Sequence, residues 1–274
     1  MDTLTLQAGP TAVTPVVLPG PADAPLLVAR QISFPAGHHI APHRHIRGQF
    51  LFAAAGTMFV RTPGHAWMVP PSRALWIPAD TEHAIDAHGA LHMRTLYLNA
   101  ASAALLPQTC AVLDVTALLR ELIIRMTSPP DDRTDAHAVD LIARLAISEM
   151  SRLPSCALEL PLPVSADLLA MCEAILLQPA GGGIEPDTGS EPPATPPGTA
   201  RTLYRRFLAE TGLSFVQWQK QANLLHAVRM LSTGLSVTHV ALELGYESPS
   251  AFTAMFRRKL GVPPRMFLAE PVKP

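Results

Sequence analysis

The sequence predicts an α+β chain of more than one domain: an antiparallel β-barrel first, a helical segment after it, and an all-α region at the C-terminal end. Three observations carry this. Between Leu26 and Asn99 short apolar runs alternate with Pro, Gly and His punctuation; from residue 100 to 160 the apolar period lengthens to that of helices; beyond Thr199 a helix-ending pattern occurs twice. A length of 274 residues accommodates two domains, and 48% apolar with 16% charged residues describes a folded rather than a disordered chain. The boundaries are 1–100 for the barrel with an extended lead-in, 101–163 for the helical segment, and 164–274 for the C-terminal domain, with a flexible insertion near 180–198.

Residues 1–27 carry Pro10, Pro15, Pro19, Pro21 and Pro25, too dense for a helix or a central strand. The runs LLVARQISF, QFLFAAAGTMFVRT, HAWMVPPSRALWIP and LHMRTLYL then read as short antiparallel strands of a sandwich or barrel. Within them His43 and His45 stand two apart, so on a strand both point to one face, and Gln49 shares that face if the strand runs on unbroken. His38, His39, His65, His88 and His92 lack such spacing and read as surface or turn residues.

DVTALLRELIIRM and HAVDLIARLAISEMSRL have helical period, with Leu118, Leu122 and Ile123 on the first stripe and Leu141, Leu145 and Ile147 on the second. TSPPDDRTD between them supplies two prolines and a capping Asp, which makes an antiparallel pair. Each helix has more apolar surface than one hairpin hides, so packing on the barrel and on a second subunit is expected. Pro161 and Pro163 mark a boundary before the helix SADLLAMCEAILL.

The C-terminal region turns on Ser236–Gly261. Val237, Val240, Ala241 and Leu244 form one apolar stripe behind Ser236 as N-cap, and Gly245 ends that helix. Ser248 caps the next, Pro249 takes its first position, and Phe252, Met255, Phe256 and Leu260 form its buried side; Gly261, Pro263 and Pro264 stop it. Two helices across a short Gly-containing turn make a helix-turn-helix, whose second helix can enter the major groove of DNA, although a plain helical hairpin with a solvated face has the same pattern. Pro249, Ser250, Thr253, Ala254 and Arg257 remain outside the core, small or polar as close approach to bases and phosphates demands. Leu203, Phe207 and Gly212 recur 49 residues later as Phe252, Phe256 and Gly261, which makes a second such unit, with Arg201, Tyr204 and Arg205 facing outward. SFVQWQKQANLLHAVRMLSTG, with Phe215, Trp218, Ala222 and Leu225 on one face, reads as the long connecting helix that holds the two about 34 Å apart.

On these residues Thr199–Phe267, with LGYESPSAFTAMFRRKLGVPP, closely resembles the DNA-binding domain of AraC/XylS-type transcriptional regulators. In the N-terminal half Gly37-x5-His43-x-His45-x3-Gln49-x6-Gly56 is similar to the first cupin motif, with Gln where many cupins have Glu, and Pro78-x4-His83 falls where the second motif places its third His. The resemblance implies a cupin-like barrel in which His43, His45, Gln49 and His83 converge, around a divalent transition metal (Zn, Ni or Fe) or around a metal-free, hydrogen-bonded ligand pocket. With a neutral amide for a carboxylate the site is expected to hold a metal moderately and to release it as the pH falls through the histidine range near 6.5. The resemblance also implies that the post-barrel helices dimerise. It departs at 178–199, where relatives have a supporting helix and this chain has PAGGGIEPDTGSEPPATPPG. The first helix-turn-helix therefore reads as degenerate, through a true insertion or an error in the sequence.

From Gly198 onward ten Arg or Lys face four Glu, a charge of +6 that leaves −7 on residues 1–197 within a net charge of −1. A basic C-terminal third suits phosphate contact. Cys110, Cys156 and Cys172 lie far apart without a CxxC spacing, which supports buried free thiols over a disulfide framework or zinc-thiolate site. Neither a signal-peptide pattern nor an apolar run approaching 18 residues is present, so the expectation is a cytoplasmic protein with no membrane partner. The whole reads as a regulator rather than an enzyme: a cupin domain senses a small molecule or metal, and a homodimer binds double-stranded DNA, with RNA polymerase as a further partner. A change of barrel or dimer geometry then shifts the placement of the DNA-binding domains over paired half-sites. The competing reading is a metal-dependent cupin dioxygenase or isomerase fused to a DNA-binding domain, distinguished by turnover of its ligand.

Overall fold

The computed structural model describes residues 3–4, 16–17, 25–129, 135–177 and 199–267. They group into two compact units, one carrying the main strands and the helices up to residue 157, the other running from Leu158 and taking in Pro63–Ala66. Of the lead-in, the antiparallel pair β1 (Thr3–Leu4) and β2 (Val16–Val17) and residues 25–27 are described; the rest lies outside the described residues, and so does the insertion near 180–198 with its consequence for the first helix-turn-helix.

The first unit contains β3 (Leu27–Phe34), β4 (His39–His43), β5 (Gly48–Thr62), β6 (His65–Val69), β7 (Arg73–Ile77), β8 (His83–Leu98) and β9 (Ala111–Asp114). The long strand β8 pairs antiparallel with β3, β4 and β5; β7 pairs with β5, and β9 with β7. β4 and β9 escape the apolar-run pattern, because HIAPH buries only Ile40 fully and AVLD lies inside the stretch read as helical.

Strand parity divides the side chains. Phe50 and Phe52 of β5, Ala74 and Trp76 of β7, and Leu96 and Leu98 of β8 turn outward and pack with Leu119 and Ile123 of α2 (Ala117–Thr127) and with Ala146, Ile147 and Met150 of α3 (Ala136–Met150). The alternate residues Leu51, Leu75 and Ile77 are equally buried on the other face. β5 thus reads as a continuous apolar run because water reaches neither side. Phe50 and Phe52, at 0% exposure, contribute roughly 2–3 kcal/mol each by burial. The short helix α1 (Ala100–Ala103) follows β8, capped by Asn99.

α2 and α3 start at Thr116 and Asp135, whose side chains accept the Leu119 and Ala138 N–H groups, so the capping Asp falls where expected. The buried stripes differ from expectation. Leu118, Leu141 and Leu145 are 49%, 53% and 44% exposed, and the inward positions are Leu119, Ile123, Ala143, Ala146, Ile147 and Met150. α3 packs on α2, which itself lies on β3 and β8; small Ala143 and Ala146 belong to the buried side of α3, and its leucines are left outward.

In the second unit β10 (Glu159–Pro161) precedes α4 (Ala166–Leu177), α5 (Thr199–Thr211), α6 (Phe215–Ser232), α7 (Val237–Glu243), α8 (Pro249–Leu260) and α9 (Pro264–Phe267). The start of α4 is tied to α5 by charge. Glu210 accepts the Val164 and Ser165 N–H groups at 2.9 and 2.8 Å, and Arg206 donates to both Asp167 oxygens at 3.1 and 2.9 Å. Ser214 and Gln217 form a capping box on α6, and Trp218, fully buried, donates its indole N–H to the Pro161 carbonyl at 2.6 Å. Ser236 and Ser248 cap α7 and α8 as the sequence predicts.

β5 bends at Gly56, where φ is +75° between register breaks at Ala53 and Thr57, and where a Cβ would lie 2.5 Å from the Ala90 carbonyl oxygen. Replacing Gly56 by Ala is expected to destabilise the barrel by about 2–4 kcal/mol, from strain and overpacking together. Urea unfolding followed by tryptophan fluorescence measures this; a loss below about 1 kcal/mol would mean that the bend does not need a glycine.

Candidate metal centre and nucleic-acid interface

His43 ends β4, His45 lies in the following turn, Gln49 is the second residue of β5 and His83 the first of β8. The unbroken strand that would align His43, His45 and Gln49 is therefore absent. Residues 44–47 leave the sheet, and convergence arises from the turn and from the direct pairing of His43 with His83 across β4 and β8. The rings still meet, with centroids 4.3 Å apart for His43 and His83, 5.3 Å for His45 and His83, and 6.1 Å for His43 and His45.

All three rings are held in the same way. Nδ1–H of His43 donates to the Ala41 carbonyl at 2.9 Å, that of His45 to Arg47 at 2.6 Å, and that of His83 to Thr81 at 2.9 Å. Each neutral ring so fixed leaves its lone pair on Nε2. The Nε2 of His83 is buried and has no hydrogen-bond partner. One ligand nitrogen from each of the three lies within 4.8 Å of the others. Two nitrogens each about 2.1 Å from one ion stand at most about 4.2 Å apart, so small ring movements would close the set.

Burial keeps the rings neutral. His43 and His45 are held below the ordinary imidazole pKa by desolvation, and desolvation together with the neighbouring His43 pushes His83 down to about 3. Loss of the ligating form therefore lies at lower pH than the sequence alone indicates. Gln49 is 2% exposed; its amide lies 2.8 Å from His45 Nε2 and reaches Thr95 Oγ1 at 2.8 Å and the Tyr97 hydroxyl at 3.3 Å. The two hydroxyls donate as well as accept, so either end of the amide can turn to the ring. Burial raises the Tyr97 pKa, which keeps its hydroxyl protonated. Thr95 and Tyr97 are absent from the sequence reading although their spacing in LHMRTLYL gives them one face.

The remaining histidines fall elsewhere: His39 pairs with Asp86 at 2.6 Å on the surface, and His92 bonds Ser33 at 2.9 Å. The three cysteines are free, and burial lifts the thiol pKa of Cys110 to about 11 and those of Cys156 and Cys172 to about 12. Among the described residues no helix is long and apolar enough to cross a membrane.

In the second unit Phe252 and Phe256 of α8 are fully buried, Val240, Ala241 and Leu244 likewise. Pro249, Ser250, Thr253, Ala254 and Arg257 then line one open groove of about 1010 Å³. Thr253 donates its hydroxyl to the Pro249 carbonyl at 2.8 Å. On α5 Arg201 and Arg205 are exposed, while Tyr204 is half-buried with its ring 6.2 Å from that of Phe215. The groove also takes in Arg258 and Arg265, which the sequence pattern alone does not single out.

Residues 199–270 match the family described as a helix-turn-helix domain, and residues 27–152 the AraC-like ligand binding domain. The HTH-type transcriptional regulator NimR of Escherichia coli (strain K12) is 31% identical over 227 residues, 83% of this chain and 81% of NimR. RipA of Corynebacterium glutamicum is 33% identical over 108 residues, 39% of this chain and 31% of RipA. Among solved structures, the match to unsaturated fatty acid-bound ToxT from Vibrio cholerae covers 88% of this chain and 94% of that one, at 9% identity and a TM-score of 0.35.

If α8 makes the sequence-reading contacts, Thr253→Ala and Arg257→Ala should weaken binding to a selected duplex by about 1–3 kcal/mol wherever a base contact is lost, and more than Arg205→Ala does. Fluorescence anisotropy at fixed salt reads the difference. Equal losses would mean that α5 engages DNA as fully as α8.

Proposed function

Since the chain belongs to the AraC family of transcriptional regulators, with a ligand-binding barrel and a helix-turn-helix DNA-binding unit, we propose that the barrel senses through a divalent transition metal held by His43, His45 and His83. The supporting observation is the common tethering of three Nδ1 atoms to backbone carbonyls, which leaves the three Nε2 atoms as the ligand atoms, that of His83 without a partner and that of His45 against the Gln49 amide. Gln49 is the weaker fourth partner. Bound there, Zn, Ni or Fe would supply an open coordination position for an oxygen or nitrogen donor on a small effector. The protein's own contribution is to fix the rings, keep them neutral and, through Thr95 and Tyr97, hold the Gln49 amide.

In this reading the barrel is a sensor and not an enzyme: the effector leaves unchanged. The protein acts in the cytoplasm on double-stranded DNA, and RNA polymerase is the partner that converts DNA placement into transcription. The exposed leucines of α2 and α3, Leu118, Leu141 and Leu145, with Val139 at 50% exposure, offer a homodimer surface.

Two measurements test these proposals. After incubation with each ion and desalting, metal analysis should find sub-stoichiometric Zn, Ni or Fe, none with His45→Ala and more with Gln49→Glu, whose added carboxylate strengthens the hold on a cation. No ion retained, together with DNA binding indifferent to chelator, would leave a metal-free pocket for an organic effector. Sedimentation equilibrium should show a dimer that Leu141→Glu with Leu145→Glu converts to monomer; a wild-type monomer at tens of micromolar would rule out this surface.

A further inference from the structure

The groove beside α8 has more positive charge than the outward face of α8 alone accounts for. Its lining includes Arg257 and Arg258 from the last turn of α8 and Arg265 from α9, and no acidic residue. All three arginines are exposed. Toward the start of α8 the lining is uncharged, with Ser250, Thr253 and Ala254. Small neutral residues at one end and guanidinium groups at the other divide the groove into a part that suits base edges and a part that suits phosphates.

Arg265 does not sit on a loose tail. Gly261, at φ +79°, ends α8 in the left-handed conformation, and its N–H donates to the Arg257 carbonyl at 2.8 Å. The chain then turns through Pro263, whose carbonyl accepts the N–H groups of Met266 and Phe267 at 3.0 Å each. Phe267 is 2% exposed, and its ring meets that of Phe256 at 5.3 Å and 83°. Phe256 belongs to α8, so this contact and the buried Pro264 fix α9, and Arg265 with it, against the recognition helix. The backbone that carries Arg265 is therefore already in place before a phosphate is met.

Resting on the DNA-binding reading, we infer that the groove between α8 and α9 takes one sugar-phosphate strand of duplex DNA, with Arg258 and Arg265 as its phosphate contacts. These two set affinity and the register of α8 in the major groove, while Ser250, Thr253 and Ala254 face the bases. Each phosphate neutralised in B-DNA steepens the dependence of log K on log salt by about 0.9, which separates the two roles experimentally.

The test uses the full-length protein, a duplex that the wild type selects from a random-sequence pool, and an unrelated duplex of equal length, titrated across a series of KCl concentrations. Arg258→Ala and Arg265→Ala should each weaken both duplexes by the same factor and lower the salt slope by about one. Arg265→Lys should restore the slope, and Thr253→Ala should weaken only the selected duplex with the slope unchanged. Unaltered thermal melting of the arginine variants checks that α9 stays docked through Phe267. An unchanged slope in Arg258→Ala and Arg265→Ala while Arg257→Ala weakens binding, or losses confined to the selected duplex, would overturn the inference alone. A wild type that selects no duplex would overturn the DNA-binding reading and the inference together.

Discussion

Both faces of β5 are out of water, and the first unit is arranged around that constraint. A strand covered on one side alternates apolar and polar residues; β5 begins Gly-Gln-Phe-Leu-Phe-Ala-Ala with every residue buried. Its outward side chains demand a cover, which α2 and α3 supply, and its inward ones demand a closed interior, which the bend at Gly56 and the long pairing with β8 provide. Gln49 sits at the polar entrance of this apolar run. A buried amide in such surroundings must find partners, and His45, Thr95 and Tyr97 are those partners.

Much of this was legible in the amino-acid order because local chemistry dictated it. Ser236, Ser248 and Asp135 cap the helices that their neighbours begin, and Gly261 closes α8, since each satisfies backbone groups that the helix leaves orphaned. Phe252 and Phe256 were readable as core from helical period alone. The histidine cluster was legible by motif spacing, yet the geometric reason offered by strand parity was not the one the fold uses. His45 reaches the cluster from a turn, and a turn has no period to read.

What was not legible depends on partners remote in sequence. Leu141 and Leu145 have the helical spacing of a buried stripe, but the Ala143 and Ala146 side of α3 is the one that is buried, because α3 packs on α2, a partner that helical period does not identify. β4 is a strand because β8 offers it an edge, with one buried residue of its own. Arg265 follows two prolines that signal only the end of a helix; its position beside α8 comes from the ring contact between Phe256 and Phe267.

One more property follows from β8. Thr95 turns inward to Gln49, while its neighbour Arg94, 8% exposed, turns outward and donates to Thr127, the last residue of α2, whose hydroxyl in turn donates to the Ile123 carbonyl at 2.7 Å. Consecutive residues on one strand thus grip the interior of the barrel and the end of the helix that covers it. A movement of that strand therefore disturbs both contacts at once. The lever between the two faces is a single peptide bond long.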